Sequence, residues 1–142
     1  MKDETAPVSP DEVVVRLIWT AFFVPSASDP VRDRAFMPRL DEADGISVFR
    51  VACLNDPTDA LAVIAPEKRD KYGVVVLPVA ELTAIGLSIQ PAKIDTIPGH
   101  AVIPELNSTA YRNDSMKCQD VQKLLAALAN QGIVRVPTPP AS

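Results

Sequence analysis

Hydrophobic residues occur along the chain in short runs, and most of these runs have the length and composition of β-strands. Residues 13–19 are apolar and largely β-branched apart from Arg16, which predicts a strand buried on at least one face. Residues 46–51 alternate between two faces, and residues 73–77 form the clearest strand pattern. Shorter strands are predicted for residues 100–103, 133–136, 87–90 and, as an edge strand, 35–38.

Three other segments have helical patterns. Asp56 can cap a helix and Pro57 suits its first position, so a helix is predicted to begin there and to end at Pro66. A second helix is predicted between Pro78 and Gly86. The longest, over about residues 116–131, has an apolar stripe formed by Cys118, Val121, Leu124, Leu125 and Leu128. We expect its solvent-exposed (wet) face to be formed by Gln119, Asp120, Gln122 and Lys123.

The order of these elements predicts one α+β domain. Strands come first without helices between them and helices then interleave with strands, which favours an α+β or mixed α/β fold. We expect a mixed sheet with two to three helices over residues 13–136, between a flexible N-terminal arm (1–12) and a C-terminal tail (137–142). Leu, Ile, Val and Phe make up 41 of the 142 residues, enough for one core. We expect buried side chains at Val74, Val76, Leu77, Val121, Leu124, Leu125 and Leu128.

The charge of the chain argues against nucleic acid as a partner. Asp and Glu number 18 against 14 Lys and Arg, the formal net charge is −4, and the sequence pI is about 4.9. Phosphate backbones are bound mainly through basic residues, so nucleic-acid binding is the weakest of the functions considered. A local basic face stays open, because Arg32, Arg34 and Arg39 lie close together in sequence.

The segments that indicate membrane, secreted or metal-binding proteins are missing from the sequence. The longest apolar run, residues 13–24, contains Arg16 and is shorter than the roughly 20 residues of a membrane helix. No apolar signal segment opens the chain, so we expect a cytoplasmic protein in which Cys53 and Cys118 are free thiols. One histidine and isolated glycines provide neither a usual zinc-ligand set nor a phosphate-binding loop, so we expect no metal and no cofactor.

Two charged or titratable residues of the predicted strands could carry chemistry, and each has a structural alternative. His100 is the only histidine; it could act as an acid or base near neutral pH, or it could hydrogen-bond a backbone carbonyl. Arg16 lies within an apolar strand, where a charge needs a partner. It could anchor an anion at a cleft, or it could pair with a structural carboxylate such as Glu81.

Arg16, Ser47 and Glu81 follow one another in the order arginine, serine, glutamate. This order resembles that of one class of ADP-ribosyltransferases. The resemblance implies that Arg16 would steady a cofactor phosphate, that Ser47 would support the nicotinamide side, and that Glu81 would orient the sugar for attack.

Several different short motifs follow one another over residues 13–137. They are Arg16, Ala35-Phe36-x-Pro38, Ile46-Ser47-Val48, Gly73-Val74-Val75 leading to Val79-Ala80-Glu81, His100-Ala101-Val102-Ile103, and Gln131-Gly132-Ile133-Val134. Their order resembles a widespread family of small, uncharacterised bacterial proteins, and it implies no activity because none is established for that family. The chain departs from the family pattern in a last helix rich in leucine rather than lysine, which is consistent with a partner-binding surface. It also has Ile133 where the family has an aromatic residue.

Two functions remain open from the sequence. Sparse catalytic residues, acidic charge and proline-rich ends favour a non-catalytic module that binds another protein, for example as an accessory partner of a larger enzyme in a bacterial defence or toxin system. The alternative is a small enzyme, with an ADP-ribosyltransferase as one candidate class, whose site includes Arg16, His100, Glu81 and Ser47. Convergence of Arg16, His100 and Glu81 around one cleft would support the enzyme, and dispersal would weaken it.

Overall fold

A six-stranded sheet runs through the protein. The computed structural model describes residues 3–38, 42, 44–109 and 115–137, with the backbone alone at 115–118. The strands are β1 (Val13–Trp19), β2 (Ile46–Arg50), β3 (Tyr72–Pro78), β4 (Gln90–Pro91), β5 (His100–Ile103) and β6 (Ile133–Arg135). Their order across the sheet is β4-β5-β2-β1-β3-β6, so β1 is a central strand.

Every strand pair in this sheet, as far as the described residues form it, is antiparallel. The α+β class is confirmed, whereas the expected mixed sheet is an antiparallel one. A parallel pair requires a crossover that returns the chain to a neighbouring strand in the same direction. Here β1 enters between β2 and β3, and both of these strands run against it.

Helices cover the first face of the sheet. They are α1 (Val79–Ala84), α2 (Ser115–Ala129) and a 3₁₀ helix over Asp33–Phe36. Leu82 of α1 and Leu125 of α2 are fully buried in one core with Val14 and Ile18, two of the side chains that β1 directs to this face. Gly86 has a φ of +87° two residues after the end of α1, as the predicted glycine stop requires.

A 3₁₀ helix over Pro57–Val63 packs on the second face. The Asp56 side chain accepts a hydrogen bond from the Thr58 amide, and the Asp59 side chain accepts one from the Asp56 amide, so the predicted helix start is confirmed. The hydrogen bonds from the Thr58 hydroxyl and amide hold the pKa of Asp56 below its usual value. The core on this face consists of Val15, Phe49, Ala60, Leu61 and Val74.

Residues 35–38 do not form the expected edge strand. Ala35 and Phe36 end a 3₁₀ helix, and the cause is tertiary: the Ala35 carbonyl accepts hydrogen bonds from Arg16 Nε at 3.1 Å and Nη2 at 3.0 Å. Phe36 is fully buried in the first core. The strand expected over residues 87–90 is also different, because only Gln90–Pro91 pairs with β5.

Helix α2 presents a different side to the sheet from the one that its apolar stripe predicts. Leu125 is fully buried as expected, but Leu124 is 50 % exposed, so the expected burial of Leu124 is wrong. Gln122, expected on the wet face, is only 2 % exposed. Ala126 and Ala129 are buried, and their small side chains let the helix approach its neighbours closely. The other expected core residues are half-buried at Val76, Val121 and Leu128 and buried at Val74 and Leu77.

The side of α2 that faces the sheet predicts different effects for substitutions at two adjacent leucines. Leu125→Ala should lower the free energy of unfolding by at least about 2 kcal/mol, because it opens a cavity in the core. Leu124→Ala should lower it by less than about 1 kcal/mol, because its side chain is half exposed. Denaturant unfolding of both variants measures the difference, and equal losses would contradict the orientation of the helix.

The N-terminal segment, expected as a flexible arm, is tied to the domain by Arg50. The fully buried Arg50 guanidinium donates to the carbonyl oxygens of Ala6 at 2.7 Å and Glu4 at 3.2 Å, and to the carboxylate of Glu12 at 2.8 and 2.9 Å. The Glu4 carboxylate in turn accepts a hydrogen bond from the Gly99 amide at 2.9 Å. Residues 3–12 therefore share one hydrogen-bond network with β2 and the loop before β5.

Candidate binding cleft

Strands β1 and β2 separate partway along their length. Their ladder consists of two pairs, Val14↔Arg50 and Val15↔Phe49. Continued in the same register, the ladder would pair Arg16 with Val48 and then bring the backbone of Leu17 to that of Ser47. That pair is absent although both residues lie within their strands, so a gap opens between β1 and β2 at this level.

A buried ion pair fills the base of this gap. Arg16 Nη1 lies 3.0 Å from Glu42 Oε2, and both side chains are less than a tenth exposed. The Ser47 amide donates to Glu42 Oε2 at 2.7 Å, and the Ser47 carbonyl accepts from Arg16 Nη1 at 2.9 Å. These two side chains thus take the place of Leu17 as the hydrogen-bonding partners of Ser47. Arg16 therefore has the structural role weighed above, with Glu42 as its carboxylate in place of Glu81.

The cleft above the ion pair has a volume of about 220 Å³. Its walls come from β1, β2, β3 and β5 and from the segments that cover the gap. The lining residues are mainly apolar or aromatic: Leu17, Trp19, Phe22, Ala35, Met37, Phe49, Val63, Ile64, Tyr72 and Ile94. The polar lining residues are Arg16, Arg34, Ser47 and His100.

Aromatic rings make up much of the wall. Trp19 and Tyr72 pair across β1 and β3, with ring centroids 5.1 Å apart and planes inclined by 59°. Phe49 lies edge-on to His100 at 5.3 Å on the other side of the gap. The inclined rings form a shaped apolar surface and not a parallel pair that could sandwich a flat ligand.

His100 joins the apolar cleft to a second, more polar cavity. Its Nδ1 lies 2.6 Å from the Ala92 carbonyl oxygen, so Nδ1 carries the hydrogen and Nε2 is an acceptor in the neutral ring. The sequence had offered this hydrogen bond to a backbone carbonyl as the structural role of His100, the alternative to acid–base chemistry. The residue lies in β5. The second cavity, of about 350 Å³, shares Ser47, Ile94 and His100 with the cleft and is also lined by Lys93.

Three of the four candidate site residues lie together, and the fourth does not. Arg16, Ser47 and His100 line the cleft, whereas Glu81 is exposed on α1. Helix α1 packs by Val79 and Leu82 on the first face of the sheet, so Glu81 on its outer side is kept away from the gap. Arg16, His100 and Glu81 therefore do not converge around one cleft, the arrangement that would have supported the small-enzyme alternative.

Sequence reasoning missed most of the apolar lining residues. Trp19 is an ordinary strand residue in sequence, Tyr72 lies just before the predicted strand 73–77, and Val63 and Ile64 belong to a predicted helical segment. The available signal was the alternation of β1, which places Leu17 and Trp19 on the face opposite Ile18. Of the arginines considered as a basic face, Arg34 lines the cleft and Arg32 is exposed, while Arg39 lies outside the described residues.

The described part of the chain has neither a cluster of metal-ligand residues nor a membrane-spanning helix. Within it, no group of three or more His, Cys, Asp or Glu side chains could hold a metal ion. No helix there has the length and apolar character needed to cross a membrane. Cys53 is buried, while the side chain of Cys118 lies outside the description.

No family model, curated protein sequence or solved structure matches this chain. The resemblance of its motifs to a family of small bacterial proteins therefore stays a prediction. The geometry itself defines an α+β domain with an apolar cleft between two strands of one antiparallel sheet.

Proposed function

We propose that the protein is a non-catalytic interaction module whose cleft receives one large apolar side chain of a partner protein. The composition of the cleft carries this proposal, since its walls are apolar or aromatic and its polar groups are few. Buried anchors of this kind supply much of the affinity of protein interfaces. The volume of about 220 Å³ lies below the roughly 300–1,000 Å³ of typical small-molecule sites and suits a single side chain.

The state of the polar groups supports binding over catalysis. Glu42 balances the charge of Arg16, and the Arg16 N–H groups donate to Glu42 and to the carbonyls of Ala35 and Ser47. Arg16 is therefore poorly suited to anchor an anionic substrate. Acid–base catalysis by His100 would need a second catalytic group nearby, and Glu81 lies on the other face of the sheet. The small-enzyme alternative therefore has less support. A partner enzyme from a bacterial defence or toxin system stays a prediction from the sequence.

A fragment titration tests whether the cleft accepts an apolar side chain. Isotope-labelled protein would be titrated with N-acetyl-L-phenylalanine amide and followed by amide chemical shifts. We expect shifts that saturate and that centre on Leu17, Phe49 and Tyr72, with a dissociation constant on the order of 1 mM for so small a ligand. Shifts spread evenly over the surface, or none, would contradict the proposal.

Two matched tryptophan variants control for non-specific binding. Ser47→Trp places a bulky ring at the base of the cleft and should abolish the fragment shifts. Val134→Trp adds the same ring at an exposed position of β6 and should leave them unchanged. Fragment binding that survives in a folded Ser47→Trp protein would show that the ligand binds elsewhere.

A further inference from the structure

We infer that the side chain received by the cleft is a tyrosine of the partner, whose hydroxyl donates to His100 Nε2 and accepts from the Ser47 hydroxyl. This inference rests on the proposed function and specifies the residue type that the cleft selects. Three observations carry it: the hydrogen-bonded state of His100, the direction of its ring, and the position of Ser47 on the same face of the sheet.

His100 has one ring nitrogen in use and one available. Its Nδ1 donates to the Ala92 carbonyl oxygen at 2.6 Å, so the lone pair of the neutral ring lies at Nε2. Nε2 has no hydrogen-bond partner among the described residues, and His100 is only half-buried where it lines the cleft. A ligand that enters the cleft therefore meets an acceptor that the fold itself does not use.

The strand order gives the direction of the ring. The Ala92 amide donates to the His100 carbonyl at 2.9 Å, directly after β4, so the Ala92 backbone lies on the β4 side of β5. Nδ1 points to that side, and the opposite edge of an imidazole ring is the Cδ2–Nε2 edge. Because β5 lies between β4 and β2, this edge is turned toward β2, where Phe49 packs against the ring and lines the cleft.

Ser47 supplies a second polar atom beside His100. In the β2–β5 ladder Phe49 pairs with His100 and Ser47 pairs with Val102, so Ser47 is a diagonal neighbour of His100 on one face. Such neighbours lie about 7–8 Å apart, a separation that a single bridging oxygen can span through two side chains. The backbone of Ser47 is used by Glu42 and Arg16, whereas its hydroxyl has no hydrogen-bond partner among the described residues.

A phenol matches this pair of polar atoms. The Nε2 lone pair requires a donor and the Ser47 hydroxyl can donate, so the ligand group should donate one hydrogen bond and accept another. The hydroxyl of tyrosine does both, whereas the indole of tryptophan only donates. Phenylalanine would cover both polar atoms without pairing either, which lowers affinity. The tyrosine ring would lie along the apolar walls, with its polar tip at Ser47 and His100.

Three fragments that differ only at the para position of the ring test the inference. N-acetyl-L-tyrosine amide has the hydroxyl and N-acetyl-L-phenylalanine amide has a hydrogen. The para-fluoro-L-phenylalanine analogue has a small substituent that cannot donate. Dissociation constants would be measured at about pH 8, where an imidazole is uncharged. We expect the tyrosine fragment to bind about tenfold more tightly than the other two, as the gain of ordinary hydrogen bonds would produce.

Variants of the cleft locate this preference. Ser47→Ala removes the hydroxyl but keeps the backbone groups that bind Glu42 and Arg16, so it should keep the fold and reduce the preference for tyrosine. His100→Phe keeps a ring beside Phe49 and should abolish the preference. As the matched control, Val63→Ala removes only apolar surface from the wall, so it should weaken all three fragments and leave their ratio unchanged.

A spectroscopic signature reports on His100 without any substitution. His100 is the only histidine of the chain, so its imidazole nitrogens give the only histidine ring signals in a heteronuclear spectrum of labelled protein. The Nε2 signal should move toward the position of a protonated nitrogen when the tyrosine fragment is added. With the phenylalanine fragment it should stay near the position that it has in the free protein.

The outcomes separate the inference from the proposed function. If the three fragments bind the cleft with equal affinity, or if the tyrosine fragment leaves the Nε2 signal in place, the inference is overturned and the proposed function stands. The inference is also wrong if the preference for tyrosine persists unchanged in folded Ser47→Ala and His100→Phe proteins, because the hydroxyl is then recognised elsewhere. If no fragment binds at the cleft, the inference and the proposed function both fall.

Discussion

Arg50→Met should lower the free energy of unfolding by about 3–5 kcal/mol, because it leaves the buried carboxylate of Glu12 without its counter-ion. Arg50 is fully buried and donates to both oxygens of Glu12, whose side chain is 4 % exposed. The hydrogen bonds to Glu12 raise the pKa of Arg50 above its ordinary value. Because the folded state favours the charged form of Arg50, the stability that this raised pKa contributes is kept as the pH rises through the neutral range and is lost only in strongly alkaline solution.

The matched control removes both charges. Glu12→Leu combined with Arg50→Met should recover part of the lost stability, since replacing a buried pair by apolar residues avoids the unpaired charge. Denaturant unfolding gives the free energies, and limited proteolysis reports whether residues 3–12 are released when the Arg50 donors to Ala6 and Glu4 are gone. A loss below about 1 kcal/mol for the single variant would mean that the pair is far more solvated than its burial indicates.

Glu42→Ala should also lower the free energy of unfolding by about 3–5 kcal/mol, and it should disturb the cleft. The substitution leaves the Arg16 charge buried without a carboxylate and takes the acceptor from the Ser47 amide. Because Arg16 and Glu42 occupy the gap between β1 and β2, we expect amide shifts to change mainly around Leu17 and Ser47. Thermal and denaturant unfolding would measure the loss.

Two control variants separate the loss of the Glu42 charge from the loss of the acceptor for the Ser47 amide. Glu42→Gln keeps an oxygen that can accept the Ser47 amide but removes the charge, so it should cost less than Glu42→Ala. Arg16→Met combined with Glu42→Leu removes the unpaired charge and should be more stable than Glu42→Ala alone. If Glu42→Ala behaves like the loss of an exposed ion pair, at about 0–1 kcal/mol, the pair does not hold the gap.

The strands of the sheet could be predicted well because their signals are local. The bounds of β1 and β5 match the prediction, and β3 extends the predicted strand by one residue at each end, since apolar runs bounded by turn residues carry this information. Helix α2 shows the limit of such patterns. Its apolar stripe identifies a helix, but which side faces the core depends on tertiary packing: Leu124 is exposed, whereas Gln122, Ala126 and Ala129 are buried.

The cleft could be predicted only in part. Arg16 attracted notice because a charge within an apolar strand needs a partner, and the structure supplies one. That partner, Glu42, lies in a segment that looks like a solvated turn, and nothing in the sequence joins it to Arg16. The gap between β1 and β2 depends on where a ladder ends, and the pairing of strands distant in sequence leaves no local pattern. Glu81 was misplaced for the same reason, because the face covered by α1 is a property of the whole sheet.

Site-specific photocrosslinking in the organism that encodes the protein tests most directly whether the cleft binds a partner. Benzoylphenylalanine would replace Tyr72 on the cleft wall in one variant and the exposed Leu124 of α2 in another. We predict a discrete protein adduct from position 72 that disappears when Ser47→Trp also fills the cleft, and no adduct from position 124. An adduct from position 124 alone would identify α2 as the binding surface, and the absence of any adduct from position 72 would contradict the proposed function of the cleft.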